Sequence, residues 1–145
     1  MSAYTLLSVI EQESVEEAIR KAELRTSGEI RVHIESKCRE EVLDHAAYVF
    51  KKLEMEKTKD RNGVLIYVSA DDRKFAIIGD VGINSKVPKG FWEGTRDEML
   101  KHFKKGDICE GLAAAIGVSG EHLREYFPYE SDDVDELSNE ISFGD

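Results

Sequence analysis

The sequence has only two cysteines and two prolines and lacks any long hydrophobic run, and these shortages exclude several classes of protein. Cys38 and Cys109 form neither a C-x-x-C pair nor a disulfide framework, which favours a reducing compartment. No apolar run approaches the roughly 20 residues of a membrane span. Residues 1–13 contain no basic n-region followed by an apolar h-region, as a secretory signal would. We therefore expect a soluble, cytoplasmic protein without membrane insertion.

Positive charge is also scarce, because 20 Lys and Arg residues face 30 Asp and Glu residues and leave a net charge of −10. Residues 130–145 carry seven of the acidic groups and no Lys or Arg, so residues 1–129 have a net charge of only −3. Such a balance disfavours nucleic-acid binding by bulk electrostatics. The length of 145 residues suits one domain.

These observations predict a single domain over residues 1–129, followed by an acidic tail over residues 130–145. The tail lacks a clear period and has little apolar area to bury, so we expect it to be mobile. An alternative is that Leu137, Ile141 and Phe143 dock part of it as a short arm.

Regular periodicities mark the helices and strands. Apolar residues at i, i+3, i+4 and i+7 indicate helices, whereas period-two alternation or a short β-branched run indicates strands. In chain order they predict a helix from Val15 capped by Ser14, a strand over 29–35, a helix over 42–53, a strand over 64–68, a strand over 74–79, a loop over 79–90, and helices over 92–103 and 112–127.

The order αβαβ-βαα predicts a three-layer α/β/α sandwich with a mixed sheet. Two strands joined through a helix should run parallel by a right-handed crossover. The polar gap at residues 71–73 permits only a hairpin, so the third strand should be antiparallel to the second. The first strand alternates, so its polar face, including His33, is expected to face outward.

Four short groups of residues between these elements carry a resemblance to a known family: Asn62-Gly63-Val64-Leu65, Asp71-Asp72-Arg73, residues 79–83, and Gly106-Asp107 followed by Gly111-Leu112. In order and spacing they resemble the TPM domain family over residues 26–128. Its members include thylakoid-lumen proteins linked to photosystem II repair and many bacterial proteins. The resemblance implies a soluble bacterial branch with a repair- or stress-related interaction role, and some relatives have weak acid-phosphatase activity.

Three carboxylates form the candidate metal site. Asp71 and Asp72 follow the central strand, at the end where ligand sites of α/β sheets gather, and the topology should return Asp107 to the same level. Oxygen ligands from such loops suit Ca²⁺ or Mg²⁺. Asp-rich turns also form for local hydrogen-bonding reasons, and this reading stays open. Arg73 either neutralises a bound phosphate or pairs with a neighbouring carboxylate.

Other motifs for chemistry are missing. The histidines lack ligand spacing, no phosphate-binding glycine loop is present, and neither cysteine has a nucleophile context. Glu29, Asp60 and Asp80 should lie at the opposite end of the sheet as solvated charges.

We therefore predict a monomeric module that binds a divalent cation and an unidentified protein partner. The alternative is a metal-dependent phosphatase acting on phosphate monoesters, for which no spare base is evident. A metal-free scaffold is a third possibility.

Overall fold

A four-stranded mixed sheet in the order β3-β2-β1-β4 organises the chain. The structure is a computed structural model that describes residues 2–129 and 137–144. The strands are β1 (Glu29–Glu35), β2 (Gly63–Ser69), β3 (Lys74–Gly79) and β4 (Ser142–Gly144). β1 pairs in parallel with both β2 and β4, whereas β3 is antiparallel to β2. The predicted parallel pair and hairpin are confirmed, and β4 adds a further parallel strand.

Helices cover both faces of this sheet. They are α1 (Val9–Glu23), α2 (Val42–Lys52), α3 (Val81–Asn84), α4 (Phe91–Phe103) and α5 (Ile108–Tyr126). Alternate strand residues point to opposite faces, so Ile66 packs beneath α1, α4 and α5 while Leu65 packs beneath α2. β2 is buried along its whole length because both faces are covered. The predicted α/β/α sandwich is therefore confirmed. In the part of the chain described, no helix is both long and apolar enough to cross a membrane.

Helix α1 begins six residues earlier than the apolar period predicts. Ser8 is the cap, because its Oγ accepts a hydrogen bond from Glu11 N at 3.1 Å while Glu11 Oε1 accepts one from Ser8 N at 3.0 Å. This reciprocal capping box starts a helical turn without help from the core. Val9 and Ile10 are 70% and 78% exposed, so the first turn contributes nothing to the apolar stripe.

The loop predicted over residues 79–90 contains the short helix α3, so that prediction is wrong in part. Asp80 caps the helix by accepting a hydrogen bond from Val81 N at 2.7 Å. Gly82 N donates to the carbonyl of Arg61 at 2.8 Å. A Cβ on Gly82 would lie 2.1 Å from the carbonyl oxygen of Asp60, so only glycine permits this approach.

Residues 137–144 form a docked arm, so the prediction of a mobile tail is wrong for them. Ile141 is 7% exposed and joins the core, and the ring of Phe143 stacks on Tyr4 with centroids 5.2 Å apart. The backbone N–H of Ile141 donates to Glu16 Oε2 at 3.0 Å. Three apolar side chains thus suffice to anchor the segment despite its acidic composition. For residues 130–136 and 145 the prediction lies outside the described residues.

Candidate functional site

A cleft of about 740 Å³ lies at the carboxyl end of β2. Its walls come from the β2–β3 hairpin, from α4 with the following loop, from the start of α5 and from the segment before α1. The lining residues are Leu6, Val68, Ser69, Ala70, Asp71, Arg73, Phe75, Arg96, Leu100, Phe103, Lys104, Gly106 and Ile108. We call this cavity the edge cleft. Asp71 and Gly106 line the same cleft, so the loop after α4 does return to the level of the hairpin, as the topology predicts.

The three predicted metal ligands lie on two neighbouring loops but play different parts. Asp71 lines the edge cleft, whereas Asp72 Oδ2 accepts a hydrogen bond from the backbone N–H of Cys38 at 2.8 Å. Asp107 is exposed and occupies the N-cap position of α5 without accepting a cap hydrogen bond through its side chain. Within residues 2–129 and 137–144, no three His, Cys, Asp or Glu side chains form a group able to hold a metal.

Three cationic side chains border the edge cleft, of which the sequence predicted only Arg73. Arg96 and Lys104 join it from α4 and the loop after it. The Nε atom of Arg96 is buried and has no hydrogen-bond partner in the structure. Arg73 has a left-handed backbone with φ 52° and forms no ion pair in the portion described. The sequence carries a signal for this arrangement, namely the spacing of four residues that places Arg96, Leu100 and Lys104 on one helical face.

A second polar cluster lies between the sheet and α2, and the sequence did not predict it. His33, Glu35, His45, Glu40 and Tyr67 are its members, and we call it the histidine network. His33 Nε2 lies 3.0 Å from Glu35 Oε1, while Tyr67 donates its hydroxyl to Glu35 Oε2 at 2.7 Å. His45 Nε2 lies 2.7 Å from the same Glu35 oxygen, and His45 Nδ1 bonds to Glu40 Oε1.

Burial and hydrogen bonding oppose each other in this network, and the balance differs among its members. The pKa of His33 is lowered, because burial opposes its charge and outweighs the hydrogen bond to Glu35, while Arg31 and His45 add repulsion. The pKa of His45 is raised, because contacts with Glu40 and Glu35 outweigh its own burial. Burial opposes ionisation of Glu35, yet hydrogen bonds from Tyr67 and His33 lower its pKa. The directions differ within one cluster: protonation is disfavoured at His33 and Glu35 and favoured at His45.

The prediction that His33 faces outward is wrong, since the residue is 6% exposed. Its Nδ1 lies 2.9 Å from the hydroxyl of Ser142 on β4. The polar face of β1 is covered instead: Tyr67 of β2 stacks on the His33 ring, α2 brings His45 to the same network, and β4 pairs along the edge of β1 beside it.

At the opposite end of the sheet, the expectation that Glu29, Asp60 and Asp80 are solvated charges is wrong for two of the three. Asp60 is exposed, but Asp80 is 5% exposed and accepts two hydrogen bonds from Arg61, at 2.7 and 2.9 Å. Glu29 is 3% exposed and accepts a hydrogen bond from the backbone N–H of Leu137. These two carboxylates hold neighbouring segments in place, because burial leaves protein donors as their partners.

Comparisons with known proteins agree with this fold. The TPM domain profile matches residues 2–121. The solved structure of the BA42 protein from the psychrophilic bacterium Bizionia argentinensis is 47% identical, covers 95% of each chain and has a TM-score of 0.89. The N-terminal domain of a protein from P. gingivalis is 21% identical over 87% of this chain and 83% of that one, with a TM-score of 0.70, which shows a shared fold. No curated protein matches the chain.

Proposed function

The chain belongs to the TPM domain family, and we propose that it is a divalent-cation-binding module whose site lies at the edge cleft. One observation carries the proposal: the loops that bear Asp71 and Asp107 border the same cleft at the carboxyl end of a buried strand. The donor chemistry fits a hard cation, because carboxylate and carbonyl oxygens are what Ca²⁺ and Mg²⁺ prefer.

Asp71 and Asp107 would supply the carboxylate ligands, one from each loop. Asp72 has only Oδ1 to offer, because its Oδ2 accepts the Cys38 N–H. Fewer than three converging side chains means that loop carbonyls and water would complete the shell, as they do in many Ca²⁺ and Mg²⁺ sites. Arg73 and Lys104 border the same cleft and lower the affinity for a cation alone. We therefore propose weak binding that an anionic ligand would strengthen.

The bound cation would join the hairpin to the loop after α4. Such a joint would fix the shape of a surface offered to a protein partner, which is the role we propose for the module. The hairpin is already tied to the loop after β1, since Lys74 Nζ donates to the carbonyl of Cys38 at 2.9 Å. Both cysteines carry free thiols, which supports the cytoplasm as the proposed compartment.

Calorimetric titration with Ca²⁺ and then with Mg²⁺ tests the proposal. We expect Asp71→Asn and Asp107→Asn each to weaken binding at least about tenfold, because each removes a charged ligand. Asp60→Asn is the matched control, since Asp60 is exposed at the other end of the sheet. Equal losses from all three variants would mean diffuse electrostatics without a localised site.

A thermal scan provides a second measure of the same binding. A cation at a hundredfold excess over its Kd stabilises the folded state by roughly 2.7 kcal/mol if it binds only that state. A melting temperature unchanged by both ions would contradict the cation proposal. Asp71 and Asp72 would then serve only to form the turn.

A second candidate function is binding of phosphate monoesters in the edge cleft. The observation in its favour is the set of three cationic side chains around one cavity, Arg73, Arg96 and Lys104. Positioned positive charge is what phosphoryl groups require. The same residues support hydrolysis less well, because the carboxylate of Asp71 is assigned to the cation and the hydroxyl of Ser69 is buried without a hydrogen-bonded base among the described residues.

Inorganic phosphate and p-nitrophenyl phosphate separate binding from catalysis. We expect Arg96→Ala to weaken phosphate binding, with the exposed Arg124→Ala as control. Turnover should stay within about tenfold of an inactive control, since positioned cations alone supply little rate enhancement. Metal-dependent hydrolysis well above that level would show that the protein is a phosphatase, provided that Asp71→Asn abolishes the activity and still folds.

A further inference from the structure

Besides its apolar anchors, the docked arm of residues 137–144 makes hydrogen bonds to side chains that can change their charge. The backbone N–H of Leu137 donates to Glu29, and that of Ile141 donates to Glu16 Oε2 at 3.0 Å. The hydroxyl of Ser142 lies 2.9 Å from His33 Nδ1. Gly144 is packed so closely that a Cβ there would lie 3.0 Å from Glu35 Oε1 and 3.2 Å from His33 Nε2. The end of the arm therefore packs directly against His33 and Glu35 of the histidine network.

The hydrogen bonds around His33 suit its neutral form. The ring donates Nε2–H to the carboxylate of Glu35 and accepts the Ser142 O–H at Nδ1. A proton on Nδ1 would turn that acceptor into a donor and place a second cation beside the network. The His33 side chain is only 8% exposed, so the added charge would be poorly hydrated while the arm is docked.

The charged groups that face His33 leave no spare anion for a second cation. Arg31 and Glu35 lie on its own strand, Tyr67 stacks on its ring from β2, and His45 approaches from α2. Glu35 is the carboxylate in contact with the ring, and it already accepts hydrogen bonds from Tyr67 and His45. Glu40 bonds to His45, and Glu140, just before β4, interacts with Arg31.

We propose that residues 137–144 form a strap over His33 that is released as the pH falls into the mildly acidic range. Release would let water reach a protonated His33. The water would then screen its repulsion with Arg31 and His45. Release would also uncover the edge of β1, which pairs with β4 while the strap is docked. An unpaired strand edge is open to another strand, so the strap controls access to the sheet.

The direction of the pH dependence follows from linkage. The pKa of His33 is lowered in the docked state, chiefly by burial, and returns toward the ordinary value of about 6.5 when the ring is hydrated. The released state therefore binds more protons, and docking is fully favoured above about pH 6.5 and lost as the pH falls through the depressed pKa. Glu35 acts in the same direction at lower pH, because its pKa is also lowered. His45 acts oppositely, since its pKa is raised, but its hydrogen bonds go to Glu35 and Glu40, which lie outside the strap.

Amide hydrogen exchange on the full chain tests the strap, with the amides of Ile141 and Phe143 as probes and that of Ile66 as internal reference. Between about pH 7.5 and about pH 5.5, we expect the protection factors of the two probes to fall at least about fivefold while Ile66 stays protected. Equal protection of the probes at both pH values overturns the proposal. Simultaneous loss at Ile66 also overturns it, because the strap would then not be released on its own.

Three variants assign the effect to His33. His33→Asn keeps a neutral donor and acceptor, so its strap should stay docked at both pH values. His102→Asn is the matched control. His102 lies on α4, outside the histidine network, so this variant should keep the wild-type response. Ser142→Ala removes the hydrogen bond but leaves His33 able to titrate, so its strap should be weaker at both pH values with the same slope. A response that persists in His33→Asn would show that another group is the sensor and would overturn the assignment to His33.

Discussion

At the scale of single residues, burial decides what a carboxylate does in this protein. Asp60 and Asp80 lie at the same end of the sheet, yet Asp60 is exposed whereas Asp80 is only 5% exposed. Asp80 accepts hydrogen bonds from Arg61 and from Val81 N, and it thereby joins the segment before β2 to α3. The two residues look equivalent in the sequence, because acidic residues flanking turns are common.

Asp80→Asn should lower the free energy of unfolding by about 1–2 kcal/mol, because it weakens two charge-assisted hydrogen bonds and a helix cap. Asp60→Asn is the matched control and should change it by less than about 0.5 kcal/mol. Urea denaturation measures both. A loss of similar size in the two variants would mean that net charge, and not the pair with Arg61, is what matters at this end of the sheet.

The sequence allowed the positions of the site loops to be predicted, but not the directions of their side chains. Asp71 follows the buried run of β2, and the crossover rule brings Gly106 to its level, so both loops were foreseen. The direction of the Asp72 side chain was not, because its partner is the backbone of Cys38, 34 residues earlier. His33 was placed on the polar face of β1, but nothing local in the sequence indicates that α2 lies over this face and that β4 pairs beside it.

At the scale of elements, the periodicity of α5 predicts its position but not how closely α1 approaches it. A Cβ on Gly120 would lie 2.8 Å from the Cβ of Ala22, whereas one on Gly117 would have no described atom within 4 Å apart from the helix's own backbone. The two glycines occupy the same helix, one turn apart, and differ only in what faces them. Such a close approach depends on both helices, so the pattern of one of them cannot show it.

Gly120→Ala should lower the free energy of unfolding by about 1–3 kcal/mol, because the two helices must separate to admit the methyl group. Gly117→Ala should instead raise it by about 0.5–1 kcal/mol, since alanine is the better helix former at an exposed position. Thermal denaturation of both variants provides the comparison. Stabilisation by both substitutions would show that α1 shifts at no cost and that the contact is loose.

The start of a helix was harder to predict where capping hydrogen bonds determine it than where packing of an apolar face does. α4 begins at Phe91, one residue from its predicted start, because its apolar face packs on the core. α1 begins at Ser8 and Glu11 through hydrogen bonds that leave no apolar period in its first turn. α3 has four residues and depends on the Asp80 cap, so it is too short to show a period.

At the scale of the whole molecule, the two ends of the described chain close the same side of the sheet. Tyr4 stacks on Phe143, and the backbone N–H of Ala3 donates to Ser36 Oγ at 2.9 Å, next to the end of β1. The first core residue along the chain is therefore Ala3 and the last is Ile141. The folded unit extends beyond residue 129, because an acidic segment needs only a few apolar anchors to dock.

The contribution of the arm to stability can be measured with one substitution. Ile141→Ala should lower the free energy of unfolding by about 1–2 kcal/mol, less than at a central core position, because the arm can undock while the rest of the sheet stays folded. Ile10→Ala is the same chemical change at a residue that is 78% exposed, and we expect it to cost less than about 0.5 kcal/mol. If Ile141→Ala cost as little as Ile10→Ala in chemical denaturation at neutral pH, the arm would add nothing to the core. The folded unit would then end near residue 129, as its sequence pattern suggests, and Tyr4 and Phe143 would be paired only weakly.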